Sequence, residues 1–232
     1  MSILFRLPMP SIYGSLIKRY NRFLADVELD SGDKVTAYCP NPGRMLSCSD
    51  AGARVRLHAT TGGKRRYAYQ LDLVQSNHQW VGVNPSWANP LVQAAIDQRW
   101  LWPNLNPSKW RREVPYDHGC RIDFLYEDGS FQQFVEVKSV SYAHQGQGYF
   151  PDAVSKRALT HLQALTRVVK DGHRATLLYC IQRSDVDDVM PAHHIDPNYA
   201  AAYHHAVSHG VTVMVMRTEV DALGNIVYWR HH

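Results

Sequence analysis

Apolar and polar positions in residues 22–75 fall in short, partly alternating runs, each closed by turn residues. Residues 22–29 and 34–39 form one such pair around Asp30-Ser31-Gly32-Asp33. Alternation gives a strand one core face and one solvent face, and an Asp-Ser-Gly turn joins two such strands as a hairpin. Pro40-Asn41-Pro42-Gly43 breaks the pattern, and residues 53–59 and 67–75 resume it on either side of Thr60-Thr61-Gly62-Gly63. This succession predicts a small barrel or sandwich.

The period changes near residue 84. Asn89 and Pro90 precede 91–101, where apolar residues recur at helical spacing; Asn caps a helix and Pro suits its first position. Strands are expected at 113–116, 120–126 and 131–140. A loop, 141–151, leads to a helix capped by Asp152, with Val154, Ala158, Leu162, Leu165 and Val169 on one face and Gly172 at its end. The runs 175–181 and 211–216 read as buried strands, and Asp196-Pro197 opens a last helix that stops before Gly210. Strand–helix–strand alternation implies parallel pairing through right-handed crossovers. The chain thus divides into a β domain, 1–82, and a mixed-sheet α/β domain, 83–232, α+β overall.

A chain of 232 residues, 45% of them hydrophobic, can bury these cores unaided. Its cysteines (Cys39, Cys48, Cys120 and Cys180) contain no C-x-x-C pair, which speaks against a zinc ribbon or a thioredoxin-like site. Residues 1–6 lack the apolar stretch of a signal peptide, and no run approaches the ~18 residues of a membrane span. A cytoplasmic protein with reduced thiols and no membrane partner is expected. The net charge of +4 is mild, but residues 1–88 hold eleven Lys/Arg against six Asp/Glu, and 89–232 fourteen against fifteen. A positive field confined to the first third suits a polyanion such as nucleic acid. A solvated basic surface gives the same count.

Candidate chemistry lies around Asp128-Gly129, a hairpin signal between two strands. With those two residues as the loop, Asp123 faces Phe134, and Asp123, Phe134, Glu136 and Lys138 share one face, Asp123 diagonal to Glu136. Val135 and Val137 point the other way. Neighbouring carboxylates repel unless a proton or cation intervenes, and a hard cation such as Mg²⁺ suits oxygen ligands. With Lys138 to orient water or stabilise phosphate charge, this is equipment for metal-assisted phosphodiester hydrolysis. A cross-strand salt bridge on a surface face is the competing reading.

The order helix, three strands, helix, strand with Asp and then Glu-x-Lys resembles the restriction-endonuclease-like superfamily. More specifically, the chain resembles the sugar fermentation stimulation protein A family. The resemblance rests on Arg19-Tyr20-Asn21-Arg22-Phe23-Leu24-Ala25-Asp26-Val27, Cys39-Pro40-Asn41-Pro42-Gly43-Arg44-Met45, Val83-Asn84-Pro85-Ser86-Trp87-Ala88-Asn89, Arg121-Ile122-Asp123-Phe124, Val135-Glu136-Val137-Lys138-Ser139-Val140, Gly148-Tyr149-Phe150-Pro151-Asp152-Ala153 and His194-Ile195-Asp196. It implies a five-stranded OB-like barrel, a PD-(D/E)xK nuclease-like domain, DNA binding without sequence preference and a role in regulating sugar (maltose) metabolism. Asp123, Glu136 and Lys138 match the catalytic motif, with Mg²⁺ or Mn²⁺ expected on Asp123 and Glu136. Asp97 stands where a first-helix acid is common, and Arg157 and His161 match the second-helix segment. Pro42 and Ala158 depart from the family's Thr and Gly.

The resemblance marks DNA contacts among the basic residues. Lys18, Arg19 and Arg22 interleave with Tyr20 and Phe23, the latter read as core; Lys64, Arg65 and Arg66 precede Tyr67 and Tyr69; Arg44, Arg157 and His161 complete the set. Tyr149 or Phe150 could stack on a strand or pack locally. His193-His194 and His204-His205 are read as surface residues, with His194 at a helix entry. Three functions compete: a metal-dependent nuclease, a catalytically silent DNA-binding regulator, and a small-molecule protein whose carboxylates form a structural ion pair. A homodimer through an edge strand is compatible with each.

Overall fold

The computed structural model describes residues 3–60, 66–117, 119–221 and 224–228. Lys64 and Arg65 lie outside the described residues. Seven strands come first: β1 (Ile3–Arg6), β2 (Ser11–Tyr20), β3 (Leu24–Leu29), β4 (Lys34–Tyr38), β5 (Arg54–Ala59), β6 (Tyr69–Ser76) and β7 (Gln79–Gly82). Six of them form a sheet in the order β4-β3-β2-β5-β6-β7, and a parallel contact of β4 with β6 (Ala37↔Tyr69, Tyr38↔Gln70) closes five into an OB-like barrel. Leu16, Val27, Val55, Leu57, Leu71 and Val74 fill its interior.

The hub of the barrel, β2, is absent from the alternation pattern. Gly14 and Leu16 face inward while the large apolar Tyr13 and Ile17 stand on the exposed side, so its residue types show no clean period. It pairs with both β3 and β5, and its register shifts between Leu16 and Lys18. A Cβ on Gly14 would collide with the Glu28 carbonyl oxygen, which is why glycine stands there. The turn to β3 holds Asn21 and Arg22 at φ 48° and 60°, so Arg22 is in a turn rather than a strand.

The second part contains α1 (Ala88–Asp97), β8 (Trp110–Asp117), β9 (Cys120–Asp128), β10 (Phe131–Val140), β11 (Ala143–His144), β12 (Gln147–Phe150), α2 (Lys156–Lys170), β13 (Arg174–Ile181), β14 (Val189–Pro191), α3 (Pro197–Ser208), β15 (Thr212–Val220) and β16 (Asn225–Tyr228). Its main sheet has the order β1-β16-β15-β13-β10-β9-β8, with β10, β13 and β15 parallel. Residues 3–6, grouped with the first domain by the division at 82, thus form an edge of the second sheet, against β16. The apolar faces of α1 (Leu91, Val92, Ala95, Ile96) cover one side of the sheet, over Val135, Val137, Leu178 and Cys180. Ala158, Leu162 and Leu165 of α2 cover the other, over Phe134, Leu177 and Tyr179. Val154, expected on that face, precedes the helix and is 66% exposed.

Two helix starts differ from expectation. Asn84-Pro85, not Asn89-Pro90, opens the first: the Asn84 side chain accepts the Ser86 N–H, and a short 3₁₀ turn runs into α1. Ser155, not Asp152, caps α2. Asp152 instead reaches across to the barrel, accepting the Met45 N–H at 2.9 Å. Further bonds dock the domains: Gly82 N–H to the Gln182 carbonyl (2.8 Å), and Ser47 Oγ with buried Arg183 (3.1 Å) and the Ala143 N–H (2.9 Å). All four cysteines are free and buried. Among the described residues no helix is long and apolar enough to cross a membrane.

Candidate active site and interdomain groove

The β9–β10 hairpin pairs Asp128 with Phe131 and Phe124 with Val135, so Gly129-Ser130 is its loop. The register is displaced by two residues from the expected one. A shift of two keeps side-chain parity. Asp123 stays on the face of Glu136 and Lys138, but sits directly opposite Glu136 rather than diagonal to it. There the Asp123 carboxylate takes the place of a ladder acceptor, receiving the Val137 N–H at 2.7 Å.

This face is no solvated salt bridge, because α2 lies over it. Glu136 is 2% exposed. Its Oε1 accepts from Lys138 Nζ at 2.5 Å and from His161 Nδ1, one turn below Arg157. Arg157 Nε–H donates to His161 Nε2 at 3.4 Å, which leaves the Nδ1 proton for Glu136. Arg157 and His161 are therefore first of all supports for Glu136. Among the described residues, Glu136 Oε2 has no hydrogen-bond partner although it is buried.

Two further polar residues join the site. Asn89, expected as a cap, lies inside α1 and donates to Asp123 Oδ1 at 2.8 Å. Glu113 is brought in by β8, where it holds φ 51° at a break in the pairing with β9, and lies 3.4 Å from Asn89 Nδ2. Asp97 is not part of the site. It is exposed at the far end of α1 and accepts from Gln93.

The two carboxyls are driven apart. Burial pushes Asp123 above the usual aspartate range, Glu136 adds to this, and the Val137, Asn89 and Lys138 contacts only partly oppose it. Burial pushes Glu136 up as well, but the Lys138 charge and the His161 bond outweigh it and hold the carboxyl below its ordinary value. A raised acid lowers stability once ionised; the cost shrinks as pH falls below its folded-state value and is gone below the unfolded one. Asp123→Asn should therefore melt higher than wild type at neutral pH in EDTA, with the difference closing toward acid pH. A lower melting temperature at neutral pH would show that the Asp123 hydrogen bonds outweigh its burial.

Asp123, Glu136 and Lys138 line a cleft of ≈ 590 Å³ together with Asn89, Arg112, Glu113 and Arg157. A second cleft, of ≈ 780 Å³, opens between the domains. The two share Pro85, Ser139, Phe150 and Ser155 and form one groove. Arg22 and Arg44 line it from the barrel. Arg19 also lines it, but its guanidinium is spent on the carbonyls of Arg22, Asn41 and Gly43 at 2.5–2.8 Å, holding the 41–44 loop in place. Lys18 and Arg66 lie elsewhere on the barrel: Lys18 3.6 Å from Asp26, Arg66 over the Tyr67 ring in a separate cleft with Tyr38. Phe23 is not core; it is 40% exposed and stacks on Tyr38.

Among the described residues no three His, Cys, Asp or Glu side chains converge as a ready-made metal site. Asp123 and Glu136 nevertheless fit a hard cation that keeps most of its water: the orphaned Oε2 lacks a partner, and Asp123 is held against its charge.

Comparison with known proteins covers both domains. Residues 17–83 match the SfsA N-terminal OB domain, and residues 86–224 match the sugar fermentation stimulation protein RE domain. The sugar fermentation stimulation protein homolog of Citrifermentans bemidjiense is 41% identical over 215 residues, 93% of each chain. That of Thioalkalivibrio sulfidiphilus is 43% identical over 213 residues, 89% of this chain and 88% of the other. The structure of Pyrococcus furiosus SfsA in complex with Ca²⁺ superposes with a TM-score of 0.85 at 23% identity, over 98% of this chain and 96% of that one. With both domain matches in chain order and relatives above 40% identity along nearly its whole length, the chain belongs to the sugar fermentation stimulation protein family.

Proposed function

We propose that the protein binds DNA without sequence preference along the interdomain groove and cleaves its backbone with Mg²⁺ or Mn²⁺ held by Asp123 and Glu136. The observation that carries this is Glu136: buried at the cleft it shares with Asp123, anchored through one oxygen by Lys138 and His161, and left with its second oxygen unpartnered. The Ca²⁺ of the Pyrococcus protein is a cation with the same preference for oxygen ligands. When bound, the metal supplies Lewis acidity toward a phosphoryl oxygen and an acidified water. Asn89 and the Val137 N–H orient Asp123, while Arg157 sets the His161 tautomer and His161 orients Glu136. Lys138 can leave Glu136 to meet developing phosphate charge. Arg22 and Arg44 attract the backbone, a contact that carries no base information.

A second reading keeps the binding and drops the turnover: a silent DNA-binding regulator of sugar metabolism. The Lys138–Glu136 ion pair, which neutralises the carboxylate, favours it. Labelled DNA incubated with Mg²⁺, Mn²⁺ or EDTA separates the two. Cleavage is expected with either metal and none with EDTA; binding without cleavage under all three selects the regulator. In both readings affinity falls with salt, the log–log slope being about −0.9 per phosphate on duplex and −0.7 on single strands. A flat salt response sinks both.

A further inference from the structure

The part of the groove nearest the barrel carries an aromatic face that the cleavage chemistry does not use. Tyr142 and Tyr149 flank the hairpin of β11 and β12, joined by the bond from Tyr149 N–H to the Tyr142 carbonyl (3.0 Å) and one step beyond the Ala143↔Gly148 pair. Their ring centroids are 5.5 Å apart. His194, from the loop after β14, closes a triangle at 6.0 Å from Tyr142 and 5.4 Å from Tyr149, and its Nε2 lies 3.2 Å from the Tyr142 hydroxyl. β12 is itself held by β14 in parallel pairing, so the face is rigid. His194 is exposed and both tyrosines are half-buried. Phe150, next along the strand, packs instead on Tyr179 and Tyr199.

Tyr20, Arg22 and Arg44 line the same cleft from the barrel. The cleft thus combines the Tyr142 and Tyr149 rings with cations from the barrel, and it shares Pro85, Ser139, Phe150 and Ser155 with the cleft of Asp123, Glu136 and Lys138. Aromatic faces bind bases only where the bases are unstacked, and cations beside them track the phosphates. A volume of ≈ 780 Å³ falls in the range of small-molecule sites, about 300–1,000 Å³, which suits a few splayed nucleotides rather than a duplex.

We propose that Tyr142 and Tyr149, braced edge-on by His194, form a stacking platform for unpaired bases, so that the groove prefers single-stranded DNA. The proposal rests on the nucleic-acid reading above and names its substrate class. The test uses binding in EDTA, so it does not depend on turnover. A short fluorescein-labelled oligothymidine and a duplex of equal length are titrated at one salt concentration. The single strand is expected to bind more tightly. Tyr149→Ala should weaken it about 5- to 150-fold while leaving duplex affinity unchanged, and Tyr149→Phe should restore it. His194→Ala, at an exposed loop position that does not threaten folding, should weaken it in the same direction. Equal affinity for both forms, or a single strand insensitive to Tyr149→Ala and His194→Ala, overturns the platform but leaves groove binding standing. No binding of either form overturns the platform and the nucleic-acid reading together.

Discussion

Glu136→Gln is expected to lower the proposed metal-dependent cleavage about 100-fold or more while leaving DNA binding in EDTA intact. Glutamine keeps the shape, and its carbonyl oxygen can still accept from Lys138 and His161. What disappears is the charge, and an amide NH₂ replaces the buried, unpartnered oxygen. Metal stabilisation of a phosphoryl transition state is worth several kcal/mol, and each ~1.36 kcal/mol is a factor of ten in rate. Removing a negative charge from the groove cannot weaken its attraction for phosphates, so affinity in EDTA should hold or rise. Single-turnover cleavage in Mg²⁺ beside a binding titration in EDTA checks both halves. A variant that cuts at the wild-type rate would move the reaction centre away from β10.

The second large effect concerns the barrel. Arg56 and Asp72 are 1% and 0% exposed and pair at 2.6 Å in its wall. His58 Nδ1 lies 2.9 Å from the same carboxylate, and Arg56 also donates to the Pro8 carbonyl at 2.5 Å and to Ser11 Oγ at 3.1 Å. Arg56→Met leaves the Asp72 charge buried with His58 alone and releases the segment between β1 and β2. The expected loss is about 3–5 kcal/mol, read from urea denaturation. Arg56→Met combined with Asp72→Leu should recover most of it, since a buried pair replaced by apolar groups of similar size is often neutral. A single variant as stable as wild type would mean that the ion pair contributes nothing to the barrel.

The catalytic candidates were legible for a reason that tolerates error. Side-chain parity in a strand survives a displacement of two, so Asp123 and Glu136 share a face whether the loop is 128–129 or 129–130. Asn89 was legible only as a residue preceding proline. Two Asn-Pro pairs lie five residues apart, and which one opens the helix is settled by packing of Trp87 and Ala88 in the core. Glu113 enters the site through a left-handed backbone at a pairing break, which no periodicity encodes. Arg19 has the neighbours expected of a phosphate contact, yet the carbonyls of the 41–44 loop claim it. The strands around β2 keep enough alternation to foretell a small barrel or sandwich; its OB-like form came from the family resemblance, and its hub strand was not foreseen.

The position of β1 bears on how the protein is made. Its partner is β16: Ile3 pairs with Val227, 224 positions later in the chain. At about 5–20 residues per second, a ribosome takes about 10–45 s to cover that distance. The barrel between them can close on the nascent chain well before then, since its strands pair within residues 11–82. Ile3–Arg6 must meanwhile wait as an unsatisfied strand on a finished barrel, open to chaperones or to a neighbouring nascent copy until β16 emerges to claim it.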